Sequence, residues 1–126
     1  MTTETPAPPR IVVLCGSTRF RDEFRQAMED ETLDGAIVLS IGCNMRDPNA
    51  RWADPADAAR IKTALDELHK RKIDLADECL VVSDEAGYFG DSTRSEIAYA
   101  EAHGKPVRFA HPAAAARWAA SVEVAA

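Results

Sequence analysis

The chain is poor in cysteine: it has three, Cys15, Cys43 and Cys79, an odd number without CxxC spacing. A disulfide framework is thereby excluded, and Cys15 and Cys79, inside apolar runs, read as buried small hydrophobes in a reducing compartment. No apolar stretch approaches the roughly 20 residues that a membrane span needs, and the N-terminus lacks the basic start and apolar core of a signal peptide. A cytoplasmic protein with no membrane partner is expected. Positive charge is in deficit, with a formal net charge of −6. A nucleic acid polymer would be repelled on average, whereas a small anion can still find a local positive pocket. HExxH, CxxC and Walker patterns are absent, and His69 and His103 fall on expected helices away from any glutamate-histidine-cysteine constellation. Neither a metal nor another cofactor is expected.

What is present suits one globular unit. Hydrophobic residues make up 46% of the 126 and charged residues 29%, a balance that supports a packed core and argues against disorder. A chain of this length buries roughly two-thirds of its unfolded surface around one core. Residues 1–10, rich in Thr, Pro and Ala without periodicity, read as a disordered arm. The folded domain is expected over 11–120, with 121–126 as a tail.

Residues 11–15 form a β-branched apolar run ending at Gly16, the signature of a strand buried on both faces. Phe20, Phe24, Ala27 and Met28 recur at helical spacing over 19–32, with Ser17 or Thr18 as the expected cap. A second strand is expected over 36–41 and a long loop over 42–55. A second helix follows over 57–76, where Ile61, Leu65, Leu68 and Ile73 keep a 3.6-residue period. A third strand (79–82), a glycine-containing loop (83–92), a third helix (93–103) ended by Gly104, a fourth strand (105–110) and a helical segment (112–118) complete the pattern. Strands alternating with helices predict an α/β protein with a Rossmann-like or flavodoxin-like three-layer fold and a small parallel sheet of four or five strands.

In such sheets ligands bind beyond the carboxyl ends of the strands. Gly16, Ser17, Thr18 and Arg19 follow the first strand and offer an unobstructed backbone, two hydroxyls and a guanidinium at a helix start, a place for phosphate or carboxylate. The alternative is a tight turn at Gly16, a capping hydroxyl and a solvated arginine. Tyr88, Gly90, Asp91, Ser92 and Thr93 follow the third strand, and Tyr88 or Phe89 could stack on a base or sugar. Glu96 is expected in the first turn of the third helix, where the dipole favours an ionised carboxylate suited to nucleophilic attack. Its alternative role is a capping box with Ser92 or Thr93.

Three segments stand out together: IVVLCGSTR at residues 11–19, the Ala76-Asp77 pair leading the third strand, and GDSTRSEIAYA at residues 90–100. In these the chain resembles the nucleoside 2-deoxyribosyltransferase-like superfamily, which includes nucleoside 5′-monophosphate N-glycosidases. The resemblance spans roughly residues 11–109. It implies that Glu96 is the nucleophile, forming a glycosyl-enzyme intermediate that water or a second base resolves. It implies that Gly16 to Arg19, with Ser92 and Thr93, hold a 5′-phosphate or sugar hydroxyls of a small nucleoside or nucleotide. A family aspartate upstream of the Ala-Asp pair aligns with His69, while Asp74 needs a shift along the helix. A homodimer or larger assembly completing the cleft is also implied. A non-catalytic nucleotide-binding or signalling module stands beside the enzyme reading, as does a structural domain in which the glycines and hydroxyls are turn and cap residues.

Overall fold

The computed structural model describes residues 7–125, and the first six residues of the expected arm and Ala126 lie outside them. Four parallel strands, β1 (Ile11–Gly16), β2 (Ile37–Leu39), β3 (Glu78–Val82) and β4 (Val107–Phe109), lie in the order β2-β1-β3-β4. Helices α1 (Arg21–Leu33), α2 (Pro55–Leu75), α3 (Asp91–Ala102) and α4 (Pro112–Ala125) connect and follow them. The protein therefore has the Rossmann-like, flavodoxin-like three-layer α/β fold, with four strands among the described residues. No helix among the described residues is long and apolar enough to cross a membrane.

The central strands are buried on both faces because both sets of their side chains have a helix layer to pack on. Val13, Cys15 and Cys79 point toward α2 and α3 and pack with Ile73, Ala76 and Ala100. Val12, Leu14, Leu80 and Val82 form the opposite core with Phe24 and Ala27 of α1. Val81, Phe89, Ile97 and Ala114 build a third cluster that seats α4 beside α3. Register is direct along the β1–β3 pair, from Val12 opposite Glu78 to Gly16 opposite Val82. Chain order reverses at this pair: β1 runs out to β2 through α1, and β2 returns through α2 to β3 on the other side. The carboxyl ends of β1 and β3 thus flank a crevice suited to a ligand.

Several boundaries differ from the sequence expectation for identifiable reasons. β2 covers three residues, since the carbonyls of Ser40 and Ile41 turn to the Lys72 ammonium at 2.6 and 3.3 Å. α1 starts at Arg21 with Phe20 as its N-cap and no side-chain cap. Ser17 and Thr18 belong to a preceding turn closed by Phe20 N–H donating to the Ser17 carbonyl at 3.1 Å, which corrects their expected capping role. α2 begins earlier than its periodicity suggests, because the Asp54 side chain accepts from Ala56 N–H at 2.9 Å and Pro55 opens the first turn. Residues 121–125, expected as a tail, continue α4.

Candidate functional site

Beyond the ends of β1 and β3 lies a cleft of about 290 Å³, near the lower bound of the roughly 300–1,000 Å³ usual for small-molecule sites. The turn after β1 exists because of Gly16. Its φ of +149° is strained for any L side chain, and a Cβ there would lie 2.4 Å from the Val82 carbonyl oxygen. The backbone can leave the sheet tightly against β3 only at a residue without a side chain.

Ser17, Thr18 and Arg19 form one wall. The Ser17 hydroxyl accepts from the Arg19 side chain at 3.1 Å, and the guanidinium lies 4.2 Å from the centre of the Tyr88 ring. Tyr88 stands on the opposite wall with Gly90, Asp91, Ser92 and Thr93. Phe89 does not reach the cleft: it is 2% exposed, packed with Val81, Ile97 and Ala114. The expectation that either aromatic could stack on a ligand is therefore corrected for Phe89. An alternation of one residue aims Tyr88 outward and Phe89 inward.

Two residues absent from the sequence-based site, Arg46 and Lys62, complete the rim, and Asn44 supports it from behind. Arg46 donates to the Thr18 hydroxyl at 3.0 Å, and Asn44 donates to the Thr18 carbonyl at 3.0 Å. Lys62 donates to the Ser92 hydroxyl at 3.0 Å and to Asp66 at 2.7 Å. Arg19, Arg46 and Lys62 thus bring three cations to one opening on a chain of net charge −6. The irregular loop before α2 was a recognisable signal for Arg46, whereas nothing local distinguishes Lys62 from any other lysine on a helix.

The floor carries Glu96 and His69. α3 begins at Asp91 with Gly90 as its N-cap, so Glu96 lies in the second turn, away from any capping box. It is 9% exposed and lines the cleft. Burial, reinforced by the Asp66 carboxylate, pushes its carboxyl up to about 7, while Cys15 and nearby lysines pull weakly the other way. The expectation that the helix terminus keeps it ionised is corrected: desolvation dominates at this depth.

His69 is buried, at 5% exposure, instead of lying on a helix surface. Burial and the Lys72 ammonium push it down to about 4, against the opposing pull of the Leu14 carbonyl and Asp66. It is neutral near pH 7, so it is not the proton donor that an unperturbed imidazole could supply. Its Nε2 stands 3.9 Å from Glu96 Oε2, and near neutrality the two are neighbours without being an ion pair. Asp74 is not brought to the cleft. Its carboxylate accepts from the Tyr99 hydroxyl at 2.7 Å and pairs with Arg71 at 3.1 Å on the outer surface of α2.

His69 Nε2 is also 3.5 Å from Cys15 Sγ, and one ligand atom each from Cys15, His69 and Glu96 all lie within 4.8 Å of one another. The expectation that His69 is remote from any glutamate-histidine-cysteine constellation is therefore corrected. Three separate elements, β1, α2 and α3, bring these residues together, so no sequence spacing reveals them. Contact with Cys79, burial and the Glu96 carboxylate all raise the Cys15 thiol well above its ordinary range. No family model matches the chain, and no curated protein matches its sequence.

Proposed function

We propose that this chain cleaves the N-glycosidic bond of a nucleoside 5′-monophosphate, with Glu96 as the nucleophile. Deoxyribosyl transfer to a second base shares the same first half-reaction. The observation that supports it most strongly is one buried carboxylate on the floor of a nucleoside-sized cleft, beneath a rim of three cations and several hydroxyls. Arg19, Arg46 and Lys62 match a 5′-phosphate, and Ser17, Thr18, Ser92 and Thr93 match phosphate oxygens or sugar hydroxyls. Tyr88 is placed to pack on the base or sugar.

In the first step a Glu96 oxygen bonds to the anomeric carbon while the bond from that carbon to the base breaks. The electron pair departs with the base, which takes a proton from water at the cleft mouth. Water then adds to the anomeric carbon and releases its proton, the ester bond breaks, and its electron pair returns to the carboxylate. Hydrolase is favoured over transferase because the cationic rim suits a terminal phosphate. The reading also includes action in the cytoplasm by a homodimer or larger assembly that closes the open side of the cleft.

A second reading, a non-catalytic nucleotide-binding module, draws on one observation: neutral His69 leaves the floor without an evident general acid. Base release from nucleosides and 5′-monophosphates, measured beside thermal shift with Glu96→Gln in parallel, separates the two. Base release that falls by more than about a thousandfold in the variant, with nucleotide stabilisation retained, supports catalysis. Stabilisation without release from the parent protein supports the module, and silence in both assays overturns both.

A further inference from the structure

The floor of the cleft offers a donor set of which the glycosidase reading uses only Glu96. Cys15 Sγ, His69 Nε2 and a Glu96 carboxylate oxygen lie within 4.8 Å of one another. Their spacing can be compared with what one ion demands. Bonds of about 2.3 Å to sulfur and about 2.0–2.2 Å to nitrogen and oxygen, at tetrahedral angles, place sulfur about 3.5 Å from nitrogen and nitrogen about 3.4 Å from oxygen. The corresponding separations here are 3.5 Å and 3.9 Å. The Cys15–His69 pair already has the required spacing, and the Glu96 oxygen, which lies within 4.8 Å of Cys15 Sγ where such an ion would set about 3.6 Å, would close the set by moving inward by about 1 Å.

The elements that carry the donors are fixed by packing. Cys15 is held in the middle of the sheet, 1% exposed, in the cluster that contains Ile73 of α2 and Ala100 of α3. His69 lies one turn before Ile73 on the same side of α2, and Glu96 lies one turn before Ala100 on the same side of α3. Glu96 and His69 both line the cleft, so an ion held by the three would keep one coordination position facing the opening.

We propose that Cys15, His69 and Glu96 form a three-ligand site for a borderline divalent ion of the zinc class, with its fourth position open to the cleft. A thiolate and an imidazole select zinc or cobalt over magnesium and calcium, which take oxygen donors. On binding, Cys15 releases its thiol proton to solvent. Occupancy engages the Glu96 carboxylate and thereby blocks attack on a sugar. That inhibitory consequence rests on the function proposed above, whereas the metal site itself does not.

The test uses the full chain, freed of metal with a chelator and titrated with cobalt(II), then competed with zinc. A saturable 1:1 titration with a thiolate-to-cobalt charge-transfer band and the visible bands of four-coordinate cobalt is the expected result. Cys15→Ser should abolish the charge-transfer band, and Cys43→Ser, which alters the exposed thiol outside the cluster, should keep it. His69→Gln should weaken binding by about 10-fold or more. Absence of a band in the parent protein, or a band that survives Cys15→Ser, overturns the site. If the parent releases base, zinc should suppress release over the range in which it displaces cobalt, and chelator should restore it. Undiminished turnover by zinc-saturated protein overturns the inhibitory consequence while leaving the spectroscopic result standing. Because the cobalt spectrum requires no substrate, lack of base release with every nucleotide refutes the glycosidase without touching the metal site.

Discussion

Glu96 and His69 make opposing contributions to stability, and separating them tests the electrostatics of the cleft floor. In the folded protein the Glu96 carboxyl titrates at about 7 instead of 4.5, and the His69 imidazole at about 4 instead of 6.5. From pH 4.5 to about 7 the folded chain holds a proton on Glu96 that the unfolded chain has released, so this group lowers stability as pH rises. From about 4 to 6.5 the unfolded chain holds a proton on His69 that the folded chain refuses, so this group raises stability as pH rises. Where the windows overlap the two slopes cancel. Each tenfold change in proton activity is worth about 1.4 kcal/mol per group, so from about pH 5 to 6.5 each contributes about 2 kcal/mol in opposite directions. Glu96→Gln should therefore gain about 2 kcal/mol across that span relative to the parent, and His69→Gln should lose about the same. Urea unfolding of chelator-treated protein, followed by tryptophan fluorescence at a series of pH values, measures the difference directly. Parallel pH profiles for all three proteins would refute the reasoning, because they would mean that neither group is desolvated as its burial requires.

Three further outcomes follow from the same geometry. Arg19→Ala should weaken binding of a 5′-monophosphate by about 1.5–3 kcal/mol while changing affinity for the corresponding nucleoside much less, a contrast that calorimetric titration of both ligands resolves. Phe89→Ala, which empties part of the cluster around Val81 and Ile97, should cost about 3–5 kcal/mol in denaturant unfolding, whereas Tyr88→Ala should chiefly reduce ligand affinity. Gly16→Ala forces a Cβ to within 2.4 Å of the Val82 carbonyl oxygen and should destabilise the fold by about 2 kcal/mol or more, read as a fall in Tm.

The frame was legible because its signals are local. A β-branched run ending at Gly16 and the apolar period of residues 61–73 require only neighbouring residues to interpret, and the strands and helices stand where those patterns occur. Both loops that wall the cleft were also readable, since each directly follows a strand. The state of the floor was not. Whether Glu96 is ionised depends on how far water is excluded by α2, α3 and β1 together, and that exclusion reverses the effect of helix position. Cys15 looked like a small apolar strand residue and His69 like a surface residue, since their meeting is made by the crossover from β2 to β3. Asp74 shows the converse. It is close to His69 in sequence but on the outward side of the same helix, where Arg71 and Tyr99 engage it.

The sheet order also determines how the molecule must be made. β1 is synthesised first yet lies in the interior of the sheet, and it pairs along its length with β3, whose Cys79 stands opposite Val13. At roughly 5–20 residues added per second, the ribosome delivers β3 several seconds after β1. During that interval α1 and β2 can shield Val12 and Leu14, whereas Val13 and Cys15 wait for Ile73 near the end of α2 and, after β3, for Ala100 of α3. The nascent chain therefore carries an apolar strand whose β3-facing edge stays open until β3 has emerged. A ribosome stalled after β2 would display a segment prone to aggregation and to chaperone capture, and the cleft floor would form only once α3 had docked.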